Sequence, residues 1–314
     1  MFICISANPA IDKRARAAKL HLGAVNRLES VVPEPGGKAA HVAMALQALG
    51  EQPLWIGFAG GTSGRELVAG LEALGIRTQS VEARQATRVN LAIRDDAGMV
   101  TEILEPGGAV STSELDLFCK TCEQLFLEMH SRAYVTFSGS LPPGAPKEFY
   151  AELIRSARSH GCRTFLDTSG EALESAIGQQ PEFVKPNREE AELLAGEVVA
   201  DLQGARNAMS KFFVRGARSV ALSLGQNGLL WCPGRNESTY YARPPALEAR
   251  SGVGSGDATV AGFLHAIARK SPPEETARWA AACGAANCLA ASPGQIKLSD
   301  VREMMRETRV EELP

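Results

Sequence analysis

Arg250-Ser251-Gly252-Val253-Gly254-Ser255-Gly256-Asp257-Ala258-Thr259-Val260-Ala261-Gly262-Phe263 is the stretch on which the reading of this chain turns. Three glycines in five residues allow a tight or left-handed turn. The apolar, Ala-rich run that follows reads as a helix through about Arg269. Such a turn presents unpaired N–H groups and the positive end of a helix dipole, which makes an anion site with phosphate as its usual occupant. Asp257 is out of place there, because a carboxylate repels a phosphate. Two readings stay open: the Asp takes a proton from a hydroxyl that attacks a phosphoryl group beside it, or it simply caps the helix.

Outward from that stretch, strand and helix signals alternate. Phe2–Ser6, Pro53–Phe58, Ala133–Phe137, Arg163–Asp167, Phe183–Lys185, Val220–Leu224 and Gly228–Cys232 read as strands. Gly37–Leu49, Ser63–Leu74, Lys147–His160, Glu189–Ala195, Leu202–Arg215 and Pro273–Ala291 read as helices. This alternation predicts an α/β protein with a mainly parallel sheet and helices on both faces, ligands collecting beyond the C-terminal strand ends. Ile11–Val32 and Thr87–Leu104 break the rhythm with short β-like runs and a turn signal at Asp95-Asp96-Ala97-Gly98. We read them as a small separate β-sheet that could act as a lid and exclude water.

Composition narrows the field. The chain has 314 residues, 45% of them hydrophobic, enough for a large core. A net charge of −3 and a pI near 6.0 give no global basic field for nucleic acid. No apolar run reaches the roughly 18–20 residues of a membrane span, and Met1-Phe2-Ile3-Cys4-Ile5 reads as a buried strand rather than a signal peptide. Seven scattered cysteines fit reduced, cytoplasmic thiols. Cys119 and Cys122 have CxxC spacing inside a helical pattern and read as core rather than as a redox or zinc site.

Several loops carry candidate chemistry, each beside a plainer reading. Gly36-Gly37-Lys38 opens a helix, and Lys38 either holds a phosphate or projects into solvent. Asp12 follows the first strand and either accepts bonds from sugar hydroxyls or is a turn residue after Pro9. Asn187 and Glu190 have the spacing of a helix cap, or of a pair that orients phosphate and Mg²⁺. Ser223-Leu224-Gly225-Gln226-Asn227-Gly228 is a hairpin that could also let a nucleotide approach the backbone. There is no GxxxxGK[ST] motif, and Asp257 stands where GxGxxG would need its third glycine.

Taken together, these loops resemble the ribokinase-like (PfkB) carbohydrate kinases over nearly the full length, most closely the 1-phosphofructokinase and tagatose-6-phosphate kinase branch. The matching pieces, in family order, begin with Asn8-Pro9-Ala10-Ile11-Asp12, Gly23-Ala24-Val25-Asn26-Arg27, Gly36-Gly37-Lys38 and Thr87-Arg88-Val89-Asn90. They continue with Ser138-Gly139-Ser140-Leu141-Pro142, Lys185-Pro186-Asn187 with Glu190, Ser223-Leu224-Gly225, Gly254-Ser255-Gly256-Asp257 and Gly284-Ala285-Ala286-Asn287. The resemblance implies one doubly wound α/β kinase domain over 1–314 with a β lid from about 11–32 and 87–104, the lids of two copies pairing as a homodimer. It implies ATP and Mg²⁺ as cofactors and a small-molecule sugar phosphate as substrate. Asp257 would be the base, and the backbone of Gly254, Ser255 and Gly256 the anion hole. Asp12, Gly36, Gly37, His41, Asn90 and Ser138 would bind the sugar, and Arg27, Lys38 and Arg88 its phosphate. Lys185, Asn187, Ser223, Gly225, Gly228, Gly254, Gly256 and Asn287 would face the nucleotide, with Asn187 and Glu190 placing Mg²⁺, partly through water.

One motif departs from the family pattern. The usual Gly-Gly-Lys-Gly-x-Asn is Gly36-Gly37-Lys38-Ala39-Ala40-His41 here, and His41 replaces an Asn that hydrogen-bonds the sugar. The substitution bears on which sugar is read and leaves the phosphoryl-transfer residues untouched. The leading expectation is a kinase of a ketohexose phosphate: fructose 1-phosphate, tagatose 6-phosphate or fructose 6-phosphate. The alternatives are a kinase of an unphosphorylated sugar or nucleoside, and a non-catalytic sugar-phosphate sensor on the same fold.

Overall fold

Phe2–Ser6 is apolar at nearly every position, and in a computed structural model, which describes residues 1–313, it is buried throughout. It forms β1, the first of fourteen strands among the described residues. Through the first half there follow β2 (Ala10–Arg16), β3 (Ser30–Gly36), α1 (Lys38–Ala48), β4 (Pro53–Ala59), α2 (Gly61–Ala73), β5 (Arg77–Glu82), β6 (Arg88–Arg94), β7 (Val100–Ile103), α3 (Thr112–Met129) and β8 (Tyr134–Ser138). Next come α4 (Phe149–Ser159), β9 (Arg163–Asp167), α5 (Gly170–Ile177), β10 (Phe183–Val184), α6 (Arg188–Ala195), α7 (Leu202–Arg215) and β11 (Val220–Ser223). The chain closes with β12 (Leu229–Cys232), β13 (Thr239–Arg243), α8 (Ser255–Ala268), α9 (Pro273–Leu289), α10 (Leu298–Glu307) and β14 (Arg309–Leu313).

Ten strands make one sheet in the order β14-β13-β12-β11-β10-β9-β8-β1-β4-β5. The pairs from β11 to β5 are parallel, and β12, β13 and β14 extend one edge antiparallel. Successive strand residues face opposite sides, so β1 and β4 divide their side chains. Ile3, Ile5, Leu54, Ile56 and Phe58 enter the core under α3 to α7. Phe2, Cys4 and Trp55 enter the core under α1, α2 and α8 to α10. Burial on both faces is what gives these strands their nearly continuous apolar sequence. Cys122 is packed in the first of these cores, where burial pushes its thiol well up, and no disulfide joins the seven cysteines.

The two irregular stretches form a second sheet in the order β3-β2-β6-β7. β3 runs past Val32 to Gly36 despite Pro33 and Pro35. It is an edge strand, where a missing N–H costs nothing on the open side. The parallel register of β2 on β6 sets Asp12 opposite Asn90. The turn at Asp95–Gly98 closes the β6–β7 hairpin, with the Gly98 N–H donating to Asp95 O at 3.0 Å. Among the described residues no helix is long and apolar enough to cross a membrane.

α8 is buried along most of its length and packs on α9. A Cβ on Gly262 would lie 2.8 Å from Ala280 Cα, and one on Gly284 would lie 2.5 Å from Thr259 Oγ1. Small residues at those two contacts let the helix axes approach closely. That approach brings Asn287 of α9 under the start of α8.

Candidate active site

The glycine turn enters α8 through Gly254, whose φ of 79° is left-handed and natural only to glycine. Gly254 is the helix N-cap and no side chain caps the helix, so Asp257 is not a cap; it is the third helical residue. The Ser255 N–H turns back onto the Gly252 carbonyl at 3.1 Å. Those of Gly254, Gly256 and Asp257 have no backbone partner among the described residues. Three unpaired donors at a helix N-terminus make the concave cradle that an anion fills. The side chain of Asn287, only 2% exposed, holds the turn from below. Its Nδ2 donates to Val253 O at 2.7 Å and its Oδ1 accepts from the Gly294 N–H at 2.8 Å. Asn287 is thus a clamp beneath the cradle.

Asp257 faces inward. Its Oδ2 lies 2.9 Å from Nδ1 of His41, and Nε2 of the same imidazole lies 3.1 Å from Oδ2 of Asp12. Both ring nitrogens of His41 therefore face carboxylates. Asp12 also accepts from Asn90 Nδ2 at 2.8 Å and from the Gly37 N–H at 3.3 Å. A Cβ on Gly36 would strike the Asp12 carboxylate, so glycine is required at the point where β3 ends. Burial pushes the Asp12 carboxyl up, but the bonds and charge of His41, with those of Asn90 and Gly37, bring it below the usual range.

Lys38, the first residue of α1, points to the strand ends. Its Nζ is 3.1 Å from Asp167 Oδ1 and 4.0 Å from Glu190 Oε1. Lys185 Nζ is 3.5 Å from the same Asp167 oxygen and 3.4 Å from where a Cβ on Gly256 would be. Burial works against the Lys38 charge, yet Asp167, Glu190 and Asp257 hold it well above its ordinary value. Burial likewise works against the Asp167 charge, and the two lysines hold that carboxyl below its ordinary value. Lys38 and Lys185 thus share one carboxylate at the strand ends, Lys185 lying beside Gly256. Arg88 donates to the carbonyls of Glu105 (2.9 Å) and Asn8 (3.0 Å), and its buried Nε has no partner. Arg27 is exposed in the loop between β2 and β3.

Asn187 and Glu190 form the capping box of α6, Oδ1 accepting at 2.8 Å and Oε2 at 2.9 Å. The other oxygen of Glu190 is the one that faces Lys38. Ser223 pairs beside Asn187, its N–H donating to Pro186 O at 3.1 Å. Gly225 and Gly228 flank the short turn before β12. A Cβ on Gly228 would strike the Ala242 carbonyl, so strand packing demands that glycine whatever else lies near it. Ser138 ends β8, buried, with its hydroxyl 2.7 Å from Thr136 Oγ1.

Sequence reasoning passed over two features. The sequence reading of Asp167 stops at a strand end, although a lone carboxylate closing the run Thr164-Phe165-Leu166 at a C-terminal strand end is a signal. Ser292-Pro293-Gly294 carried no signal at all. Ser292 Oγ donates to Glu34 Oε1 of the lid at 2.7 Å, and Glu34 is held bidentately by Arg14 at 2.6 and 2.8 Å. A Cβ on Gly254 would lie 2.7 Å from Pro293 Cβ, and one on Gly294 would lie 2.6 Å from His41 O. One loop thus meets the lid, α1 and the glycine turn.

A model of the family described as pfkB family carbohydrate kinase matches residues 4–298. Phosphofructokinase-2 from Escherichia coli in complex with fructose-6-phosphate is 30% identical, with a TM-score of 0.88 and 98% of each chain covered. Its tetrameric inhibited form gives 0.88 over 97% of this chain and 98% of that one. A Thermotoga maritima protein described as a possible 1-phosphofructokinase is 22% identical, with a TM-score of 0.85 over both full chains. At that identity the likeness speaks for the fold.

The His41 bridge makes stability depend on pH. Burial lowers the imidazole pKa, but bonds and charge from Asp12 and Asp257 raise it from 6.5 to about 10. The folded state then binds the proton more tightly than the unfolded one. Its contribution is complete below about 6.5 and is lost as pH rises through about 10. Asp12 acts oppositely, its contribution disappearing as pH falls through its lowered value. Thermal melts from pH 7 to 10 are expected to show the wild-type falling more steeply than His41→Gln; parallel curves would contradict a charged His41.

Proposed function

The chain belongs to the pfkB family of carbohydrate kinases, and we propose that it phosphorylates a hydroxyl of a ketohexose phosphate with ATP and Mg²⁺, Asp257 acting as general base. One observation carries this reading. A carboxylate with one oxygen anchored on His41, and the other without a hydrogen bond among the described residues, stands at a cradle of three unpaired N–H groups. A sensor would need the cradle but has no use for the base.

The free Oδ1 of Asp257 takes the proton as the sugar oxygen attacks the γ-phosphorus and the bond to the departing ADP breaks. The N–H groups of Gly254 and Gly256, with Lys38 and Lys185 beside them, meet the charge on the transferring group. A positioned base is worth about 10²–10⁴-fold, and an anion-hole donor roughly 10²–10³-fold. Asp12 and Asn90 orient the hydroxyls, and the buried Asn90 Oδ1, which has no partner, is an acceptor a sugar would satisfy.

Mg²⁺ keeps waters and takes phosphate oxygens with one or two protein ligands. Among the described residues no three acidic, histidine or cysteine side chains converge on a metal position. Glu190, with an oxygen outside its capping box, and Asn187 fit that limited role. Bound there with the nucleotide, the ion would neutralise phosphate charge.

Phosphofructokinase-2 holds fructose 6-phosphate, and we extend that class of substrate to this chain through Arg88 and Arg27. The unpartnered Nε of Arg88 is the donor that a phosphate ester would satisfy. The exposed Leu22, Val25, Val31 and Val32 of the lid support pairing of two copies there.

Asp257→Asn is expected to cut turnover by at least about 10²-fold across fructose 1-phosphate, fructose 6-phosphate, tagatose 6-phosphate and the free sugars while still binding ATP. Near-wild-type turnover would sink the base assignment. Arg88→Ala should raise KM by roughly tenfold or more for the ester and hardly at all for the free sugar; equal losses would remove Arg88 from the phosphate site. Sedimentation should give a dimer that Val25→Lys disrupts, and a monomer at all concentrations would refute pairing through the lid.

A further inference from the structure

His41 is five per cent exposed, near the N-terminal end of α1, and touches two carboxylates that come from opposite ends of the chain. A neutral imidazole has one N–H and one lone pair. It can donate to one carboxylate only, and its bare nitrogen would then face the oxygen of the other. With both carboxylates ionised, contacts of 2.9 Å to Asp257 and 3.1 Å to Asp12 are satisfied together only by the imidazolium, which donates from both nitrogens. The charged groups around it agree. Asp12 faces it from β2 and Asp257 from α8, while Glu102 of β7 adds a more distant negative charge. Its two partners also feel cations, Asp257 that of Lys38 and Asp12 that of Arg88. The Ser292–Gly294 loop brings only Gly294 against the His41 carbonyl.

This arrangement settles which oxygens remain. Asp257 has Oδ2 taken and Oδ1 open. Asp12 has Oδ2 taken by His41 and Gly37, leaving one lone pair on Oδ1 beside the Asn90 amide. We propose that His41 is a positioning residue which, as an imidazolium, locks the base and the sugar-holding carboxylate in one register, so that Asp257 presents Oδ1 to the hydroxyl that Asp12 orients. The proposal rests on Asp257 being the base. His41 touches neither sugar nor nucleotide; it acts through the two carboxylates. Loss of its proton at alkaline pH frees one of them and uncouples orientation from proton removal. The imidazole pKa of about 10 puts that loss above neutral pH.

Asn and Gln separate the two contacts, because the amide nitrogen of Asn falls near the place of Nδ1 and that of Gln near Nε2. With ATP, Mg²⁺ and the best sugar phosphate of the panel, His41→Asn keeps the bond to Asp257 and loses the one to Asp12. It is expected to hold kcat within about threefold and raise KM for the sugar roughly tenfold, the effect of one lost bond to a charged group. His41→Gln is expected to do the reverse, lowering kcat about ten- to a hundredfold with KM near wild-type. Wild-type kcat should fall as pH approaches ten, and both variants should lack that limb. Equal losses in kcat and KM in the two variants, or an unchanged alkaline limb, would overturn the proposal and leave His41 a packing residue. The base assignment is tested apart from this. Turnover by Asp257→Asn overturns the base, whereas an inactive Asp257→Asn with no split between the two His41 variants overturns the coupling alone.

Discussion

Three carboxylates, those of Asp12, Asp167 and Asp257, are largely withdrawn from water within one site, and the arrangement around them follows from how their charge is met. A lone ionised carboxylate in such surroundings would take up a proton rather than stay charged. Here each has a cation: His41 lies between Asp12 and Asp257, and Lys38 and Lys185 share Asp167. Removing one partner of a buried pair typically costs about 3–5 kcal/mol. The lid sheet, the start of α1, the strand ends and the start of α8 are thereby bound to one another through charge as well as packing.

The same constraint serves the chemistry of a carbohydrate kinase. A general base must be ionised when the hydroxyl arrives, yet water must be kept away from the transferring phosphoryl group. A carboxylate buried beside His41, as Asp257 is, would meet both needs if it serves as that base. The loop Ser292-Pro293-Gly294 adds a mechanical link, since it touches Glu34 of the lid, the backbone of His41 and the Gly254 turn. The second sheet, the start of α1 and the start of α8 thus share one contact loop.

Much of this was legible in sequence because it rests on local rules. Period-2 and continuous apolar runs located most of the strands, and Gly254-Ser255-Gly256 announced an anion cradle from its dihedral freedom alone. The spacing of Asn187 and Glu190 offers a helix cap as one of its two readings, and that cap is formed. Strand β13 and the edge strand β14 escaped notice, as did α10, since short or half-exposed elements leave a weak periodic signal. The extent of β3 was masked by Pro33 and Pro35, residues that an edge strand tolerates and an interior one does not. Asp257 could not be separated from a cap by spacing. The distinction lies in where its carboxylate points, which is toward a residue 216 positions away.

The chain by itself determined the α/β alternation, the separate small sheet and the turns that hold the candidate site residues, because propensity, periodicity and turn residues act between near neighbours. Only the tertiary structure decided how those groups are paired. It paired Lys38 with Asp167, placed Asn287 beneath the turn, brought Asp167 beside both lysines and set both nitrogens of His41 against carboxylates. The physical reason is that charge and hydrogen bonding act across space with no regard to sequence distance. The partner of a buried ionised group is fixed only when the sheet, α1 and α8 have closed around it.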